Sequence, residues 1–161
     1  MTLAVRAAEP ADAERIAAWL NADWARGFLS SNLRSGLMTA PLIRAALRRT
    51  DQSWHVAALD EAPVGLIVFD SVDREDGVAN LWYTLGEAAA RGHGTMPAAL
   101  DLLLGRNPLG LHVVTAWIGA PNRASQRCLE KAGFRRIGAI SGAFVVAGRH
   151  DRILFERVLG P

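Results

Sequence analysis

Residues 91 to 96 read Arg91-Gly92-His93-Gly94-Thr95-Met96, between a strand-like run that ends at Leu85 and an apolar helix pattern through Leu100, Leu103 and Leu104. A glycine turn that feeds a helix presents several unpaired backbone N–H groups at the positive end of the helix dipole, an arrangement that suits a pyrophosphate. Two other phosphate loops are excluded by spacing. The dinucleotide fingerprint G-x-G-x-x-G needs a third glycine where Pro97 stands, and no Gly-Lys-Ser/Thr ending occurs in the chain.

About thirty positions later come Asn122-Arg123-Ala124-Ser125 and Glu130-Lys131-Ala132-Gly133-Phe134. Asn122 is a good N-cap after Pro121, Ala124, Cys128 and Ala132 recur every fourth position, and Gly133 ends the helix. Together, in this order and separation and with a strand-like run at 111–118 between them, the two segments resemble the paired signatures of the GNAT acyl-CoA N-acyltransferase superfamily. The first is closest to the Q/R-G-x-G-x-M form of its Rim-like branch, which includes enzymes that acetylate ribosomal-protein N-termini.

The chain has 161 residues, 50% of them hydrophobic and 21% charged, which fits a single globular domain spanning 1–161. The single cysteine, Cys128, excludes an internal disulfide framework and reads as a buried, inert thiol in a reducing compartment. His55, His93, His112 and His150 lack metal-ligand spacing, so no metal site is expected. Arg6, Glu9, Asp12 and Glu14 argue against a signal peptide, and no run reaches the roughly 18 apolar residues of a membrane span, which makes the cytoplasm the expected compartment. A net charge of +2 with dispersed arginines argues against dedicated nucleic-acid binding.

Periodicity predicts strands at Leu3–Ala7, Ser53–Leu59, 63–69, Val78–Leu85, 111–118, 134–146 and 153–158, and helices at 11–21, 41–49, from the glycine turn to about residue 104, and from Asn122. Asp60-Glu61-Ala62 reads as a hairpin turn, and 70–77, with Asp70, Asp73, Glu75 and Asp76, as a solvated polar turn. Residues 22–40 read as irregular yet apolar, through Trp24, Phe28, Leu29, Leu33, Leu37 and Met38. Two readings of that stretch stand side by side: core packing, or the acceptor-side wall that the resemblance implies. The expected fold is α+β, a mixed, mostly antiparallel sheet of six or seven strands with helices on both faces.

The resemblance implies acetyl-CoA as co-substrate, an amine acceptor and direct attack in a ternary complex; it leaves a homodimer open. It aligns Tyr83, Thr84 and Leu85 with the strand that pairs with the pantetheine arm, and Arg91, Gly92, His93, Gly94, Thr95, Met96 and Asn122 with cofactor contacts. Pro97 removes one amide but is tolerated in a first helical turn. Leu129 stands where many members carry the tyrosine that protonates the thiolate, so Ser125 inherits that role, or else it only caps its helix. Asn80 stands where the Rim-like branch commonly has a glutamate base, and a carboxamide takes no proton at neutral pH. Candidate catalytic positions are thus Ser125, Tyr83 and Asn80, with Glu75, Glu87 or water as substitute bases. Keeping an α-amine neutral at pH 7 costs roughly 1 kcal/mol and a lysine about 4.6 kcal/mol, so a base-poor site favours weakly basic nitrogens. A different acyl donor and a non-catalytic acyl-CoA-binding module are the alternatives. A serine hydrolase is not, because no Gly-x-Ser-x-Gly elbow occurs.

Overall fold

Asp60 and Glu61 adopt φ of 46° and 69°, so two residues rather than three close the hairpin between β2 (Ser53–Leu59) and β3 (Ala62–Asp73). Neither is a glycine, and the turn is tied down from outside: the Asp60 carboxylate accepts from the amide of Thr2 at 2.7 Å. The computed structural model of the chain describes residues 1–29 and 31–160, the side chain of Asn32 excepted. Its one sheet has seven strands in the order β1-β2-β3-β4-β5-β7-β6, where β1 is Leu3–Ala7, β4 Val78–Leu85, β5 Val113–Gly119, β6 Arg135–Val145 and β7 Arg149–Val158. Every adjacent pair is antiparallel except β4 with β5. This is the expected α+β architecture, at the higher of the two strand counts.

Strand alternation divides the molecule into two cores. On one face Ile67, Phe69, Ala79 and Leu81 pack against Met96, Leu100, Leu103 and Leu104 of α5 (Thr95–Arg106) and Leu129 of α6 (Arg123–Lys131). On the other, Trp54, Val56, Leu66 and Val68 meet Ile16 and Leu20 of α1 (Ala13–Asn21) and Ile43 of α4 (Ala40–Ala46). Thr39 caps α4 by accepting from the Leu42 amide, which starts that helix one residue before Pro41. Pro97 sits within the first turn of α5 without interrupting it.

Three readings are corrected. Residues 22–40 are not irregular throughout: they contain two single-turn helices, α2 (Asp23–Arg26) and α3 (Ser31–Arg34). The fully buried residue of α6 is Leu129; of the fourfold repeat Ala124, Cys128 and Ala132, the last is buried and Cys128 packs against the core half-buried, but Ala124 is exposed, so the repeat marks the core face only in its later part. And β3 continues through Asp70 to Asp73, so the polar turn begins later than the residue types suggest and Asp70 is not part of it.

The feature that positions everything else is the β4–β5 junction. These parallel strands pair only at Val78↔Val113, Ala79↔Val114 and Asn80↔Thr115, then separate. Beyond that point β4 remains paired with β3 through Leu85, and β5 with β7 through Gly119. A wedge therefore opens in the middle of the sheet.

Candidate active site

The wedge widens into a cleft of about 750 Å³. One wall is β4 from Asn80 to Leu85, the opposite wall is Trp117 to Gly119 of β5 with Asn122 and Ser125 of α6, and the glycine turn closes one end. Arg91, Gly92, Gly94, Thr95 and Met96 line it; His93 does not. Gly92 and Gly94 take φ of 75° and 72°, the left-handed conformation that glycine adopts without penalty. Gly94 is the N-cap of α5, so the amides of the first helical turn have no preceding turn to bond. A methyl group built on Gly94 would meet nothing within 4 Å, so Gly94→Ala is expected to cost backbone strain alone, about 1 kcal/mol, measurable as a shift in the urea midpoint at unchanged slope.

Arg91 lies at the turn, but its guanidinium stacks on Trp24 of α2, 3.4 Å from the ring centroid. The charge assigned to the phosphate end is thus in contact with the apolar segment across the cleft. Trp24, Phe28, Leu29 and Leu33 of that segment also line the cleft, while Leu29 is in addition buried in the α1 core, so the segment contributes to both core and cleft.

Alternation along β4 sends Tyr83 to one face and Asn80, Trp82 and Thr84 to the other. The Tyr83 hydroxyl lies 2.5 Å from Ser125 Oγ, and it donates to the Ser125 carbonyl at 3.1 Å. Ser125 does not spend its hydroxyl on capping: Asn122 Oδ1 accepts from the Ser125 amide at 3.2 Å, leaving Oγ for Tyr83. Burial raises the Tyr83 pKa well above its ordinary value and raises Cys128 to about 11, so at neutral pH both are protonated. Cys128 is half-buried, packing against the core on one side and lining the cleft on the other, and its thiol is held in the unreactive form, as the inert-thiol reading expects. Leu129, the position of the family tyrosine, is fully buried and does not line the cleft. The phenol beside Ser125 comes instead from β4: Tyr83, named above as a candidate catalytic position, meets Ser125 through its side chain.

Asn80 lines the opposite face and donates from Nδ2 to Asp70 Oδ1 at 3.1 Å. Of the substitute bases, Glu87 accepts from Trp19 Nε1 at 2.9 Å and Glu75 lies in an exposed turn; neither lines the cleft. Asp70 does. Its signal was present: Val64, Leu66 and Val68 alternate onto one buried face, and one more step of two reaches Asp70.

The acetyltransferase (GNAT) domain model matches residues 2–135. No curated protein matches the chain by sequence. Among solved structures, the chain is similar to RimL, a ribosomal L7/L12 α-N-protein acetyltransferase in complex with coenzyme A (17% identity, TM-score 0.82, 98% of this chain and 94% of that one). It is similar also to spermidine N-acetyltransferase from Vibrio cholerae with CoA and spermine (17%, 0.82, 98% and 95%). A third is aminoglycoside acetyltransferase AAC(6')-Ib with coenzyme A and kanamycin (20%, 0.77, 98% and 95%). At such identities the structural likenesses speak for the fold, and the family model, which spans most of the chain, speaks for membership: the chain belongs to the GNAT acetyltransferase domain family, a family of acyl-CoA-dependent N-acyltransferases.

Proposed function

We propose that the protein transfers an acetyl group from acetyl-CoA to an amine by direct attack within a ternary complex. The observation that carries this reading is the hydroxyl pair Ser125–Tyr83 set beside an unpaired stretch of β4 in a cleft that ends at the glycine turn. The cleft suits the donor. Its wall offers strand backbone to the amides of a pantetheine arm, and the turn offers amides at a helix N-terminus, with Arg91, Arg127 and Lys131 as the cations lining it.

In this reading the thioester lies along residues Tyr83 to Leu85, whose gap-facing backbone N–H groups bond its amides and carbonyl oxygen. The amine attacks the carbonyl carbon, and the C–S bond breaks as Ser125 gives its proton to the departing sulfur and regains one from Tyr83, which is reprotonated in turn by the proton the attacking nitrogen loses. A free half-buried cysteine beside the cleft suits a reducing compartment such as the cytoplasm.

Acetyl-CoA at about 10 times its dissociation constant is expected to stabilise the fold by about 1.4 kcal/mol, read as a rise in melting temperature. Calorimetry with folded protein that detects no binding of acetyl-CoA or any other acyl-CoA would overturn the reading. Release of free thiol on addition of an amine separates an enzyme from a binding module.

A further inference from the structure

The regular pairing of β3 with β4 ends at Asp70↔Asn80 and resumes out of step at Asp73↔Val78. Between them Ser71 takes a φ of 49°. A bulge of this kind bends a strand and re-aims the side chains beside it, and a non-glycine residue in the left-handed region is strained backbone that surrounding structure must hold. What the bulge flanks here is a single carboxylate. Asp70 shares its face with Val68 and Leu66, and so stands beside Asn80, Trp54 and Trp82 on the side of the cleft away from α5. Among the described residues that line the cleft it is the only acid, against Arg91, Arg127 and Lys131.

Its surroundings poise it. Burial raises its pKa above the ordinary carboxylate value; hydrogen bonding by Asn80, Ser71 and Trp82 pulls it back down, and the negative charge of Asp51 pushes it up. Asp51 is itself paired with Arg49 at 2.8 and 2.9 Å.

The apolar part of the cleft is equally specific. Four of the five tryptophans line it: Trp24, Trp54, Trp82 and Trp117. Two already carry a guanidinium, Arg91 over Trp24 and Arg152 over Trp117 at 4.1 Å. Trp54 and Trp82, edge to face at 5.6 Å and next to Asp70, carry none among the described residues.

We propose that Asp70 draws the acceptor's ammonium into the cleft and receives its proton, with Asn80 orienting the carboxylate, and that the acceptor is a monoamine on an apolar body. This deepens the acetyl-transfer reading and rests on it. The balance is complete without a further reactant. The ammonium loses one proton to Asp70, which passes it to solvent; the free amine forms the C–N bond. As the C–S bond breaks, the second nitrogen proton leaves through the Ser125–Tyr83 pair and the sulfur departs as thiol. Three residues of strand, roughly 10 Å, separate Asn80 from Tyr83, so water carries the first proton to the carboxylate. Indole faces attract one ammonium and bury the carbon skeleton behind it. A polyamine or aminosugar would bring further charges that the cleft leaves unpaired, a costly burial.

The test measures kcat/KM from pH 6 to 10 with saturating acetyl-CoA, using 2-phenylethylamine and phenylalanine amide as monoamines and spermidine and kanamycin as polycations. Preference for the monoamines is expected. Asp70→Asn should lower kcat/KM by on the order of 100-fold and make the rate follow the amine's own ionisation, with acetyl-CoA affinity by calorimetry unchanged; Asp70→Glu should restore part of the rate. Should Asp70→Asn fail to fold, Asn80→Ala reads the same point. It keeps the carboxylate but removes a bond that lowers its pKa, so the acid limb should move to higher pH. The proposal is overturned if folded Asp70→Asn keeps its rate and profile, if the limb is unmoved in Asn80→Ala, or if polycations are preferred. Wild-type protein that binds acetyl-CoA yet acetylates neither monoamine also overturns it. Wild-type protein that binds no acyl-CoA overturns the acetyl-transfer reading itself.

Discussion

Ser125→Ala should lower kcat by about 100-fold, the usual scale for losing a positioned proton donor, while leaving acyl-CoA affinity nearly unchanged. The expectation follows from the division of labour inside α6. The Ser125 amide serves the Asn122 cap, and alanine keeps that bond; only the hydroxyl facing Tyr83 is lost. Burial keeps the Tyr83 phenol protonated throughout the working range, so it holds a proton that Ser125 can draw on as it releases its own. Tyr83→Phe should therefore also slow turnover, and the double variant should be little worse than Ser125→Ala alone, because residues that act as a unit are not additive. Calorimetry and steady-state rates on the three variants check this. An unchanged kcat in Ser125→Ala would return the serine to a capping role and give the sulfur's proton to water.

Acid should destabilise the fold well before the carboxylates titrate. His55 is buried under Phe69, with its Nε2 2.9 Å from the Ser53 hydroxyl. Burial first, and then the positive charge of Arg106, lowers its pKa from 6.5 to about 4. Below pH 6.5 the unfolded chain takes up a proton that the folded chain refuses until near pH 4. Stability is thus fully present above the unfolded pKa and falls across that window, by about 2.5 kcal/mol between pH 7 and 4.5. Urea unfolding at a series of pH values measures it. His55→Gln, which keeps a polar partner for Ser53, should flatten the slope in this window. A variant as pH-sensitive as the parent would assign the loss to other groups.

The contrast between His55 and Asp70 shows where the sequence was legible. Strands whose side chains alternate or are wholly apolar, such as Ser53–Leu59 and Val78–Leu85, have the bounds expected from their pattern, because burial of a face is a local property of residue type. The glycine turn and the Asn122 cap were legible for the same reason: each is a backbone requirement that few residues meet. Asp70 was half legible: the alternation through Val64, Leu66 and Val68 reaches it, but an aspartate at the head of Asp-Ser-Val-Asp carries the composition of a turn, and its pairing with Asn80, ten residues away across the bulge, is what keeps it a strand residue facing a cleft. The Ser125–Tyr83 contact spans 42 residues and depends on the angle between β4 and α6, which no local pattern encodes. The short helices of 22–40 escaped because single-turn helices are too brief to show a period.

Sheets normally end at two margins, and unpaired margins invite other chains to add a strand. Here the outer margins are β1, only five residues long, and β6, which has two register shifts and carries Arg135 and Arg136 at its start. Both are features that discourage edge-to-edge association. The wedge creates two further margins inside the sheet, on β4 beyond Asn80 and on β5 beyond Thr115. These line the cleft together with residues of α6 and the glycine turn on one side and of α2 and α3 on the other. The molecule thereby keeps an unpaired strand edge inside its own sheet, lined by its own helices, rather than at an outer margin where a neighbouring strand would add.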